Sequence, residues 1–206
     1  MKTNLGLNGL YVVTREDEFL LQKVEVALMA GAAVVQFRDK NPIGNDSLLV
    51  GQKLKSLCRQ YAASFIINDD VDLAIKLEAD GVHIGKDDAS IQAVRAKLPD
   101  KIIGVSCYND LNLAVKAQDQ GADYVAFGRF FVSQTKPDAV QADRNILLAA
   151  KNKMTIPIVA IGGITPANGE GLVAAGANML AVVDGLFGAV DTQEAALAYV
   201  NLFRRK

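Results

Sequence analysis

The sequence is poor in the residues that mark several common chemistries. Cys58 and Cys107 are the only two cysteines in 206 residues, too few for a disulfide framework, and they do not form a Cys-x-x-Cys pair. The single histidine, His83, is a sequence neighbour of neither cysteine, and no Gly-x-Ser-x-Gly elbow is present. Nucleophilic catalysis by cysteine or serine is therefore not indicated. The five prolines are scattered and no low-complexity stretch separates two halves, so one domain over residues 1–206 is expected. No apolar run approaches the ~20 residues needed to cross a bilayer. The N-terminus lacks the basic, apolar and cleavage regions of a signal peptide, and a cytoplasmic protein is expected. A net charge of −1 supplies no field that would draw nucleic acid or an anionic membrane surface, so neither is expected as a partner. Any anionic ligand must be caught by local charges.

Half of the residues are apolar and the mean hydropathy is +0.17, enough to bury a sizeable core. The apolar residues recur in short runs: GLYVVT (9–14), AVVQFR (33–38), SFIIND (64–69), GVHIG (81–85), IIGVSC (102–107), YVAFG (124–128), PIVAIGG (157–163) and MLAVVDG (179–185). These eight runs are nearly continuous rather than alternating, which suits strands of a parallel sheet buried on both faces. Helical spacing fills the gaps, as in EFLLQKVEVALMAG and DLNLAVKAQDQGAD. Gly31, Gly121 and Gly176 stand where left-handed helix caps would be needed. This alternation predicts an α/β fold, a single (β/α)8 TIM barrel. An open doubly wound sheet is disfavoured, because VVTREDE rather than a glycine-rich fingerprint follows the first run.

Such barrels carry their active sites at the C-terminal ends of the strands, and here those ends are densely polar. The second ends in Gln36, Arg38, Asp39 and Lys40; the third in Asn68, Asp69 and Asp70; Lys86, Asp87 and Asp88 follow the fourth. Ser106 ends the fifth, and the sixth runs into GRFFVSQTKPD, which contains Lys136. One loop cation reads equally well as a solvated surface charge. Three on one rim (Arg38, Lys40 and Lys136) point to a ligand with several phosphoryl oxygens. Two carboxylates from different strand ends suit Mg²⁺, which takes one or two protein carboxylates together with substrate phosphates. Asp70 reads as the N-cap of the helix starting VDLAIK, and one of Asp87 and Asp88 reads as the next cap; spacing does not choose between them. Gly162-Gly163 and Val183-Asp184-Gly185 lie where barrels often hold phosphate, although the glycine pair equally suits a tight turn. An Asp184 carboxylate facing that site would repel phosphate. His83, inside the fourth run, reads as a hydrogen-bonded core residue rather than an acid or base.

In order, YVVT, QFRDK, IINDDVDLA, ADGVHIGKDD, IGVSCYN, GADYVAFG, SQTK and PIVAIGGI resemble the thiamine-phosphate synthase family over nearly the whole chain. That resemblance implies a Mg²⁺-dependent transferase on a (β/α)8 barrel. Its reaction would join hydroxymethylpyrimidine pyrophosphate to a thiazole phosphate. It selects Asp69 and Asp88 for the metal. It assigns Gln36, Phe37, Arg38, Asp39, Lys40, Asn68, Ser106 and Lys136 to the pyrimidine pyrophosphate, with Arg38, Lys40 and Lys136 as the catalytic cations. Ser133, Gln134, Thr135, Gly163, Val183 and Asp184 would hold the thiazole phosphate. The partners implied are small phosphorylated molecules, and a homo-oligomer is compatible with the sequence. Two departures fall on the thiazole side: Gly128-Arg129-Phe130-Phe131 stands where many members have Gly-Pro, and Asp184 where Ser is common. The two phenylalanines are expected in the core. A related thiazole tautomerase is the nearest alternative, but it carries a histidine shortly after the fifth strand, where Cys107 and Tyr108 stand here. A non-catalytic barrel that binds a phosphorylated metabolite would have no reason to gather the aspartates and the cations.

Overall fold

Eight parallel strands close into a barrel, each paired with its neighbours in chain order and the eighth with the first. This is a computed structural model, and it describes residues 7–39, 46–86, 88–132 and 141–204. The strands are β1 (Gly9–Val13), β2 (Val34–Phe37), β3 (Ser64–Asn68), β4 (Gly81–Ile84), β5 (Ile102–Tyr108), β6 (Tyr124–Gly128), β7 (Ile158–Ile161) and β8 (Met179–Val182). Helices α1 (Leu20–Ala30), α2 (Asp46–Gln60), α3 (Val71–Lys76), α4 (Ile91–Lys97), α5 (Leu111–Asp119), α6 (Asn145–Lys153) and α7 (Pro166–Ala175) return the chain between them. The short α8 (Asp184–Phe187) and then α9 (Thr192–Arg204) follow β8. Each run predicted from the sequence matches one strand, β5 extending one residue past its run to Tyr108. Gly31 and Gly176 cap α1 and α7, and Gly121 follows α5, with φ of 109°, 120° and 94° respectively, the backbone region glycine tolerates best.

Strand side chains point alternately inward and outward, and the buried residues divide accordingly. Leu10, Val12, Val35, Phe37, Phe65, Ile67, Ile103, Val125 and Phe127 pack outward in one core with the helices. Tyr11, Val13, Val34, Ile66, Tyr124, Val159 and Met179 fill the barrel interior. Each large apolar side chain buried in either layer contributes about 1.5–3 kcal/mol. Gly104 is a place where the interior dictates the residue, because a Cβ there would run into the ring of Tyr124.

At the opposite end from the polar loops, three strand entrances share one device. Asp80, Asp123 and Asn178 each accept the main-chain N–H of the strand before, from Phe65, Ile103 and Ile158, at 2.8, 2.9 and 2.9 Å. Each also donates its own N–H back to that residue's carbonyl. The recurring Ala-Asp or Ala-Asn before β4, β6 and β8 is therefore a latch that satisfies buried backbone groups at the barrel floor. Asp123 is further bound by Arg95 at 2.6 Å, whose guanidinium also donates to the carbonyls of Lys101 and Gly121. The floor is thus held by side chains, and the mouth is left to chemistry.

Candidate active site

The mouth is built where β2, β3, β4 and β5 end. Thr14, just past β1, accepts a hydrogen bond from the N–H of Arg38 at 2.9 Å and fixes the chain as it leaves β2. By alternation Gln36 points into the barrel, whereas Phe37 is buried in the outer core against the helices. Phe37 can therefore meet a ligand in the barrel only through its backbone. Asp39, expected beside the ligand, accepts the Ser47 hydroxyl of α2 at 2.6 Å. That contact joins the chain leaving β2 to the start of α2.

After β3 the chain turns sharply. Asp69 has φ 62°, a left-handed conformation that Asp tolerates better than most residues, and its N–H donates to the carbonyl of His83 at 2.8 Å. The turn leaves the Asp69 carboxylate facing that of Asp88 from the loop after β4. Its pKa is pushed up to about 6, first by partial withdrawal from water and then by Asp88; the Asn68 amide and the charge of Arg38 oppose the rise. Asn68 Nδ2 donates to Asp69 Oδ2 at 2.6 Å, and the Gly85 N–H donates to Asp88 Oδ2 at 2.6 Å. Asp70 caps α3 by accepting the Leu73 N–H at 2.8 Å, as expected. The cap of α4 is Ser90, so Asp88 is spared that task; Asp87 lies outside the described residues. Among the described residues no group of three or more His, Cys, Asp or Glu is arranged for a metal. What is present is a pair of hard oxygen donors whose mutual repulsion a divalent cation would relieve.

Below this mouth a chain of hydrogen bonds crosses the barrel interior. Gln36 Nε2 donates to the Tyr11 hydroxyl at 2.8 Å, and the hydroxyls of Tyr11 and Tyr124 are 2.7 Å apart. His83 Nδ1 lies 2.9 Å from the Tyr124 hydroxyl, and His83 Nε2 lies 2.8 Å from Ser106 Oγ. The Tyr11 and Tyr124 rings meet edge to face at 5.9 Å, and His83 stacks on Tyr124 at 5.5 Å. Burial raises both phenol pKa values, so both stay protonated. Above Ser106 the β5–β6 register shifts, and Tyr108 (φ 53°) reaches the N–H of Lys86 with its hydroxyl at 3.2 Å. Cys58 and Cys107 are buried, and burial pushes each thiol up to about 12, so neither is a reactive thiolate.

On the other side of the mouth the Asp184 carboxylate is turned toward Arg15, which follows β1; Nη1 and Oδ1 are 2.5 Å apart. The repulsion expected of Asp184 is thus offset by a neighbouring cation. Gly162 and Gly163 have φ of 105° and 62°, and a Cβ on either would strike the chain at Arg129–Val132. The close approach of that segment explains the glycine pair without any ligand. Its backbone is stitched to the end of β7, from the Phe130 N–H to the Ile161 carbonyl and from the Phe131 N–H to the Gly162 carbonyl. Phe130 is buried and Phe131 half-buried against the core, as expected of them. Lys40, Ser133, Gln134, Thr135 and Lys136 lie outside the described residues.

The sequence reading overlooked Tyr11, Thr14, Arg15, Tyr108 and Tyr124. A signal existed for two of them. Counted by twos along their strands, Tyr11 and Tyr124 fall on the same inward face as Gln36 and His83, so their hydroxyls had to find partners there.

A closed parallel barrel that gathers a carboxylate pair, an arginine and a buried hydroxyl chain at the C-terminal ends of its strands has the architecture of a (β/α)8 enzyme, whose chemistry is usually carried at that end. The chain belongs to the thiamine monophosphate synthase family, whose model matches residues 10–186. It is 48% identical over 199 residues to a thiamine-phosphate synthase of Thiobacillus denitrificans, covering 95% of this chain and 94% of that one. It is 46% identical over 205 residues to a thiamine-phosphate synthase of Nitrosococcus oceani, covering 96% and 94%. Among solved structures it is similar to thiamine phosphate pyrophosphorylase from Pyrococcus furiosus, with a TM-score of 0.88, 32% identity and 98% of both chains covered.

Proposed function

We propose that the protein joins hydroxymethylpyrimidine pyrophosphate to the thiazole phosphate, forming thiamine phosphate and releasing pyrophosphate. The observation that carries this reading is the facing of Asp69 and Asp88 beside Arg38. Their oxygens suit Mg²⁺; the Asp69 carboxyl is pushed up to about 6 first by partial withdrawal from water and then by Asp88, a repulsion that a bound divalent cation would offset. Bound there, Mg²⁺ would neutralise charge on the pyrophosphate as it leaves.

The bond that breaks joins the pyrimidine's methylene carbon to the pyrophosphate oxygen, which departs with the electron pair. The carbon left behind is a cation stabilised by the ring, and the lone pair of the thiazole nitrogen closes the new C–N bond. No protein nucleophile is required, consistent with two buried thiols. Arg38 stabilises the leaving group, and the family resemblance adds Lys40 and Lys136 to that task. Gln36, Asn68 and Ser106 orient the pyrimidine; Phe37 contributes only main chain, and Asp39 is engaged by the Ser47 hydroxyl. Ser133, Gln134 and Thr135 with the main chain of Gly163, Val183 and Asp184 take the thiazole phosphate. Proximity of two oriented reactants supplies much of the acceleration. Among the described residues no helix is long and apolar enough to cross a membrane. The test is to incubate the purified protein with both substrates and Mg²⁺ and to assay thiamine phosphate and pyrophosphate. Absence of product from folded protein would remove the reading.

A further inference from the structure

The hydrogen-bond chain beneath the mouth has a direction, and the direction follows from donor accounting. Gln36 Nε2 is an amide nitrogen and can only donate, so the Tyr11 oxygen accepts at that end. Among the described residues the other partner of the Tyr11 hydroxyl is Tyr124. If Tyr124 donated to Tyr11, the Tyr11 hydrogen would be buried without an acceptor, at a cost of about 1–3 kcal/mol. Tyr11 therefore donates to Tyr124, and Tyr124 donates onward to His83 Nδ1. With Nδ1 accepting, the imidazole proton sits on Nε2 and is given to Ser106 Oγ. The Ser106 hydrogen is then left to point away from His83. Ser106 is only half-buried at the top of the interior, so that hydrogen is offered to a ligand at the mouth.

We propose that the chain Gln36–Tyr11–Tyr124–His83–Ser106 is a directional relay that presents the Ser106 hydroxyl as a hydrogen-bond donor to an acceptor atom on the pyrimidine, with His83 as its positioning residue. The identity of the acceptor as a pyrimidine ring nitrogen rests on the proposed function; the direction of the relay does not. The relay gives one reason for the only histidine to be buried on β4, and for Gly104 to clear room for the ring of Tyr124.

Because His83 is the single histidine of the chain, ¹⁵N-histidine labelling of untagged, ligand-free protein at mildly alkaline pH reports its tautomer without ambiguity. The expected spectrum is that of Nε2–H, with Nδ1 unprotonated; an Nδ1–H spectrum overturns the direction. Calorimetric titration with the pyrimidine pyrophosphate and Mg²⁺ then tests the purpose. Ser106→Ala and Tyr124→Phe should each weaken binding several-fold, up to about tenfold. The double variant should be within about twofold of the weaker single one, since both remove the same donor. Affinity for the thiazole phosphate should be unchanged. Additive losses, or equal losses for both substrates, would show that the residues serve packing alone and would overturn the relay. Wild-type protein that binds no pyrimidine pyrophosphate would sink the proposed function while the tautomer still decides the relay.

Discussion

The guanidinium of Arg15 and the carboxylate of Asp184 meet at 2.5 Å across the mouth, joining the exit of β1 to the start of α8. Both are about two-fifths exposed, so the pair itself contributes little stability. Its consequence is electrostatic: the carboxylate is occupied. Asp184→Ser should leave affinity for the thiazole phosphate unchanged or improve it, because Arg15 is released toward an incoming anion. Titration of the variant checks this, and a large loss of affinity would mean that the carboxylate itself holds the ligand.

A pH dependence follows from Asp69. Its folded pKa of about 6 lies above the ordinary value of 3.8, so the ligand-free fold holds a proton that the unfolded chain gives up earlier. Stability from this group is therefore greatest at low pH and falls as pH rises from about 4 to about 6. A divalent cation competes with that proton. The rise in melting temperature given by Mg²⁺ with pyrophosphate should be full above about pH 7 and fade as pH falls through about 6. In Asp69→Asn that pH dependence should shrink to the part that comes from protonation of pyrophosphate itself.

Gly104→Ala should be costly although a single methyl is added. The new Cβ would occupy the ring position of Tyr124, which is held by Tyr11 and His83 and has nowhere to move. A loss of about 2–3 kcal/mol in denaturant unfolding is expected. A loss below about 0.5 kcal/mol would show that the interior is looser than described.

Asp123→Ala tests the barrel floor. It removes the acceptor of the buried Ile103 N–H and the partner of Arg95, at a cost of about 3 kcal/mol. Substrate affinity of the folded variant should be unchanged, since the latch and the mouth are at opposite ends. A selective loss of affinity without a loss of stability would contradict that separation.

Much of the architecture is legible in the sequence because buried parallel strands leave continuous apolar runs, and each of the eight matches a strand. Local chemistry is legible too: Asp70 caps the next helix as its position suggests. The relay is not legible in full, since Tyr11 and Tyr124 are 113 residues apart and only the closed barrel brings them together. The Arg15–Asp184 pair spans 169 residues for the same reason. The resemblance puts Phe37 and Asp39 beside the ligand, but it does not reveal that alternation turns the Phe37 side chain to the helices or that Asp39 accepts the Ser47 hydroxyl.

The central claim is that Asp69 and Asp88 together hold the cation that serves the departing pyrophosphate. Pyrophosphate release with both substrates, measured against Mg²⁺ concentration, tests it most directly. Wild-type protein should be inactive without Mg²⁺, and Asp69→Asn and Asp88→Asn should each raise the Mg²⁺ needed for half-maximal rate by about tenfold or more. An unchanged Mg²⁺ dependence in both variants would contradict the account.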